Sequence, residues 1–191
     1  MWWMVFSEQY RASFLQALDA FDLKQVDEVI ELFRDAREQG RTIFVAGNGG
    51  SSATATHLVC DLVKDASYRR TKRFKAMTLL DSMPTLSAYA NDVDFKDAMA
   101  ETLRNFAHPG DIYFAISGSG NSENLVRAMD YANNHGLKTI ALTGRDGGKL
   151  GATAALELRV PDPHMGRIQD VHHIICHMIC YSFVESEPVE F

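Results

Sequence analysis

The sequence predicts an α/β protein, a mostly parallel five-stranded sheet with helices on both faces and further helices at the N-terminus. Three observations carry this expectation. From residue 42 onward, five short strand patterns, the first an apolar run rich in β-branched and aromatic residues, alternate with helical patterns, and that order implies parallel strands joined by right-handed crossovers. Two of the strand patterns end in turns built of glycine, serine and asparagine, at 47–52 and 117–122, and ligands of such sheets gather at the carboxyl ends of strands. The chain has 191 residues, 46% hydrophobic and 23% charged, as an ordinary globular domain does.

In chain order, the apolar run Met1–Phe6 is too short for a signal core or a membrane span, and reads as packing or as an addition from an upstream start codon. Helical patterns follow at Gln9–Phe21 and Leu23–Gln39, the second with an apolar stripe of Val26, Ile30, Leu32 and Phe33 and a stop at Gly40. A stripe with no evident cover predicts that these two helices form an interface. Strand Thr42–Ala46 leads into the first small-residue turn and a helix over Ala53–Lys64, with Ser51 or Ser52 as its N-cap. Next come strand Ala76–Leu80, helices Pro84–Ala90 and Phe95–Phe106, strand Asp111–Ile116 and helix Asn121–Asn134. Strand Thr139–Leu142, a turn over Thr143–Gly148, strand Leu156–Val160 and a last helix over Ile168–Glu185 complete the chain. With no linker or low-complexity segment, one domain is expected, with residues 8–39 as a helical segment and 40–187 as the α/β core.

The formal net charge is -6 with no long run of one sign, so the composition recommends neither a nucleic-acid nor a membrane surface. The basic cluster Arg69-Arg70-Thr71-Lys72-Arg73 reads as a solvated face. Cys60, Cys176 and Cys180 lie in helical patterns without a CxxC, which fits packing in a reduced, cytoplasmic setting.

The first turn, Gly47-Asn48-Gly49-Gly50-Ser51-Ser52, joins a strand to a helix N-terminus, where free N–H groups and the helix dipole favour an anion. It lacks the Gly-Lys-Ser/Thr ending of a nucleotide loop, and Ser52 stands where a dinucleotide fingerprint has its third glycine. A small phosphate cradle remains. The second turn repeats this logic, with Ser117, Ser119 and Ser122 able to wrap a phosphate without lysine. One turn into the first helix, His57 and Asp61 share a face at i,i+4, and His and carboxylate are ordinary zinc ligands. The last helix carries Gln169, His173 and His177 at four-residue spacing. His173 reads as a surface or interface residue and His172 as core. Gln169 and His177 stand about 12 Å apart along an ideal helix, so either the helix begins after Gln169 or one of them serves a neighbouring subunit.

These residues resemble the sugar isomerase (SIS) domain proteins, and among them the phosphoheptose isomerases. The anchors are Gly47-Asn48-Gly49-Gly50-Ser51, His57, Ala90-Asn91-Asp92, Ile116-Ser117-Gly118-Ser119-Gly120-Asn121-Ser122, Leu142–Lys149, and Arg167-Ile168-Gln169 with His177 eight residues on. The resemblance runs from about Gln9 to Phe183. It implies a three-layer αβα fold of the flavodoxin-like kind and a homotetramer with composite sites. It also implies a zinc ion without an organic cofactor, and isomerisation of sedoheptulose 7-phosphate to D-glycero-D-manno-heptose 7-phosphate. By the same resemblance Asp61 and His177 are the acid–base pair, and His57, Asp61, Gln169 and His177 the metal ligands. Asn48, Gly49, Gly50, Ser51, Asn91, Asp92, Ser117, Gly118, Ser119, Ser122 and Gln169 contact the substrate. The sequence departs from the family pattern at Asp61 (glutamate), Asp65 (arginine), Gly166 (aspartate) and Gly118 (threonine). Such changes suit a different sugar phosphate, or a non-catalytic SIS scaffold of the kind that associates with the bacterial DnaA initiator. A sugar-phosphate sensor is a third class, without a visible DNA-binding segment.

Overall fold

The computed structural model describes residues 2–79 and 81–190. The end of the second expected strand at Leu80 and the packing expected of the first four side chains lie outside the described residues. Five strands, β1 (Thr42–Gly47), β2 (Lys75–Thr78), β3 (Ile112–Ser117), β4 (Lys138–Gly144) and β5 (Leu156–Val160), form one sheet in the order β2-β1-β3-β4-β5, and every pairing is parallel. Among the described residues eight helices surround it: α1 (Trp2–Asp19), α2 (Leu23–Glu38), α3 (Gly50–Lys64), α4 (Met83–Asp92), α5 (Ala98–Phe106), α6 (Glu123–Asn134), α7 (Gly148–Thr153) and α8 (Met165–Ser186).

Alternate residues of a strand point to opposite faces, and here both faces are apolar because both are covered. Ile43, Val45, Ile112, Phe114, Ile140 and Leu158 enter one core with α1, α2, α3 and α8. Phe44, Ala46, Tyr113, Ala115 and Ala141 enter a second with α5, α6 and α7. The strand order reverses direction at β1, whose chain leaves toward β2 while β3 lies on its other side. The crevice of a doubly wound sheet opens at such a switch point, and the turns after β1 and β3 both border it.

The stripe on α2 has a cover within the chain. Val26 and Phe33 are buried in the first core, with Ile30 and Leu32 half-buried against it. The basic cluster is likewise not wholly solvated. Arg70 is buried, and its guanidinium donates to the Asp65 carbonyl and to those of Phe183, Val184 and Glu187, closing the C-terminal end of α8. Several element ends also differ from expectation. Helix α3 starts at Gly50 with Gly49 as N-cap. Gly49 takes a φ of 54°, open to glycine, and turns the chain early enough to place Ser51 and Ser52 inside the helix. The stretch expected only as a turn runs on into α7, six residues pinned by the buried Leu150. Helix α5 begins at Ala98 rather than Phe95 and α8 at Met165.

Candidate functional site

The first turn is shaped by what its glycines exclude. A Cβ on Gly47 would stand 2.5 Å from the Ser51 carbonyl, and one on Gly50 2.9 Å from the Gln169 amide nitrogen. The Asn48 side chain, one residue into the turn, pairs with Asn124 in the first turn of α6, each carboxamide donating to the other at 2.9 Å. Asn124 is buried, so this double bond fixes the spacing between the two small-residue turns.

The second turn folds around its own serines. Ser117 Oγ accepts from Gly120 N at 3.2 Å, and Ser119 Oγ accepts from Asn121 N at 3.2 Å. Gly120 has φ 64°, and a Cβ there would collide with the Gly147 carbonyl. Asn121 reaches back to the Ser119 carbonyl and accepts from Lys149 N of α7. Ser122 is the N-cap of α6 and makes no side-chain capping bond, so its hydroxyl remains for a ligand. Hydroxyls and a helix N-terminus converge here, an arrangement whose chemistry suits an anion.

Beside the first turn, α3 and α8 bring four donors together. His57 Nε2 lies 3.3 Å from His177 Nε2 and 3.3 Å from Asp61 Oδ2, and His177 Nε2 lies 3.7 Å from the same carboxylate oxygen. His173, expected as a surface or interface residue, belongs to this group. Its ring is 4.5 Å from that of His57 and 4.7 Å from that of His177, centre to centre. Asp61 is buried while His57 is exposed. Burial pushes the His173 imidazole below its usual range, the neighbouring imidazoles add to this, and Asp61 opposes them. A cavity of about 500 Å³ lined by Gly49, Ser52, Thr56, His57 and Cys60 adjoins the cluster. Two larger clefts, of about 690 and 750 Å³, lie along α2 and include none of these donors.

The remaining expected residues fall into two groups. Gln169 abuts Gly50, and because α8 begins at Met165, the alternative of a helix starting after Gln169 is excluded. Asn91 and Asp92 stand apart on α4, which has no buried residue, and their side chains bond to each other. His172 is core, as expected. Its Nε2 meets the Thr143 carbonyl at 2.8 Å, and burial pushes its pKa down to about 4. Burial raises the thiols of Cys176 and Cys180, the latter to about 12, which suits packing and not nucleophilic attack.

The donor spacing fits a zinc-type cation. Zn–N bonds of about 2.0–2.1 Å place the corners of a tetrahedron about 3.3–3.4 Å apart. The His57–His177 and His57–Asp61 separations meet that value, and Asp61–His177 is slightly wider.

The model of the SIS domain family matches residues 8–144. The phosphoheptose isomerase of Aromatoleum aromaticum is 36% identical over 169 residues, covering 87% of this chain and 84% of that protein. Among solved structures, a phosphoheptose isomerase from Francisella tularensis superposes with a TM-score of 0.90 at 28% identity, over 98% of this chain and 100% of that one. The phosphoheptose isomerase GmhA from Neisseria gonorrhoeae gives 0.87 at 28% identity, over 94% and 97%. Likenesses of this extent show that the chain belongs to the SIS domain family, among its phosphoheptose isomerases.

Proposed function

We infer that this protein is an aldose–ketose isomerase that converts sedoheptulose 7-phosphate to D-glycero-D-manno-heptose 7-phosphate. The observation that carries the reading is the meeting of Asp61, His57 and His177 beside two serine- and glycine-rich turns at one switch point. Phosphate binds between the turns, held by Ser117, Ser119 and Ser122, the Gly118 backbone and the residues Asn48–Ser51, with Gln169 closing over Gly50.

The reaction moves one hydrogen between neighbouring carbons, so atoms and electrons balance within the sugar. Asp61 takes a proton from C1 of the ketose as the C2 carbonyl oxygen gains one from His177, giving an enediol. The C1 hydroxyl then loses its proton as C2 gains one, and the aldose forms. Asp61 is one methylene shorter than the glutamate of related enzymes, and its burial against α8 brings the histidines to it. His57, Asp61 and His177 would hold a zinc ion, which supplies polarisation of the carbonyl oxygen. Gln169 stands about two turns before His177 on α8, abuts Gly50, and serves the substrate in this reading.

The protein works as a single-domain cytoplasmic homotetramer in this reading. Helix α4, with every side chain at least partly open, Met83 exposed and Val93 exposed just after it, would present Asn91 and Asp92 to a neighbouring subunit's site. The test is incubation with a panel of ketose phosphates, with and without zinc, following the aldose product. Turnover of sedoheptulose 7-phosphate is expected, and inertness toward every substrate would favour the scaffold alternative.

A further inference from the structure

We propose that His173 is a metal ligand of this chain, so that one zinc-type cation is held by the three imidazoles of His57, His173 and His177, with the Asp61 carboxylate alongside and a fourth position left for the carbonyl oxygen. Two facing helices each contribute an i,i+4 pair: His57 and Asp61 from α3, His173 and His177 from α8. That is the spacing by which a helix places two ligands on one ion, since four residues rise only about 6 Å. Gln169 and His177 have twice that rise between them. One nitrogen from each of the three histidines lies within 4.8 Å of the others, and Asp61 Oδ2 sits 3.3 Å from His57 Nε2. The three rings are already in edge-to-face contact with one another.

The consequence separates two roles that one residue would otherwise share. Gln169, turned to Gly50, is free for the sugar phosphate. His173 is half-buried on the α8 face that meets α3, and its replacement leaves the cores intact. The inference shares the zinc of the isomerase reading but assumes no turnover, and its test uses none.

Chelator-stripped, full-length protein is titrated with Zn2+ by calorimetry and with Co2+ in the visible range. One ion per chain is expected. His173→Phe should weaken Zn2+ binding by about 100-fold, at or beyond the top of the range seen for lost outer-shell partners, and Gln169→Ala should change it less than threefold. His173→Cys should restore binding and add a thiolate-to-cobalt charge-transfer band, a signature that only direct ligation gives. Thermal melts of the metal-free variants check the fold. Unchanged affinity in His173→Phe, loss of binding in Gln169→Ala, no charge-transfer band in His173→Cys, or no metal uptake by the wild type would each overturn the proposal. A wild type that binds metal in this way yet isomerises no ketose phosphate overturns only the isomerase reading.

Discussion

Asp61 concentrates the chemistry of the site, because one buried carboxylate faces two imidazoles within 3.7 Å. If it is the base for the C–H proton, Asp61→Asn should lower kcat by about 10²- to 10⁴-fold, the usual worth of a positioned base. Binding of the sugar phosphate, measured by calorimetry, should survive. Asp61→Glu should retain or raise activity, since the longer side chain restores reach. In the cradle, Ser119→Glu should abolish sugar-phosphate binding, by filling the turn and setting a negative charge where the phosphate belongs. Unchanged binding in that variant would remove the phosphate from this turn. The residue types of the site were readable from the sequence: small residues at two turns, and a His–Asp pair at i,i+4. His173 was visible too, four residues before His177. What periodicity along one helix cannot give is which side chain of α8 faces His57, because that depends on how α3 and α8 cross.

Elements fix the distance between the turns, and the Asn48–Asn124 pair is the device. Each carboxamide gives and takes one hydrogen bond across the switch point at 2.9 Å, tying the turn after β1 to the first turn of α6. Asn124→Ala removes both bonds at a buried position and should cost about 1–3 kcal/mol of stability. Its kinetic effect should fall on KM more than on kcat, since the phosphate cradle widens while Asp61 and the histidines stay on α3 and α8. A variant with wild-type KM would show that the turns hold their spacing without the pair. Strands and long helices were legible because alternation and apolar stripes are local patterns. Helix α7 was not. Its six residues include Gly148 and Gly151, too few for a periodic stripe, and it is ordered by Leu150 entering the second core and by Leu150 N donating to the Gly120 carbonyl at 2.9 Å. The start of α3 was misplaced because serine is a good N-cap by type, whereas the cap here is set by the backbone angle of Gly49.

Across the whole molecule, the C-terminal end of α8 is fastened to the N-terminal helices and to the loop after α3. Arg37 of α2 makes a two-pronged ion pair with Glu187, at 2.7 and 2.6 Å, and Arg70 donates to three carbonyls around it. The sequence showed the basic cluster but not this use of it, because these three carbonyls lie more than a hundred residues from Arg70. Hydrogen bonding from Arg37 holds the Glu187 carboxyl below its ordinary value of 4.5, burial opposes that, and the charges of Arg37, Arg70 and Arg34 add to the lowering. A carboxyl lowered by folding stabilises the native state at pH values above its unfolded pKa, and that contribution fades as pH falls through the folded one. The wild type should therefore lose stability on acidification from about pH 5 downward, by urea melts at a series of pH values. Glu187→Gln keeps the shape but not the charge, leaving the buried Arg37 guanidinium without its counterion. It should cost about 1–3 kcal/mol at pH 7, as a lost charge-assisted pair does, and its stability should fall less steeply below pH 5. Parallel curves for the two proteins would show that the fastening of α8 rests on Arg70 and its carbonyls alone.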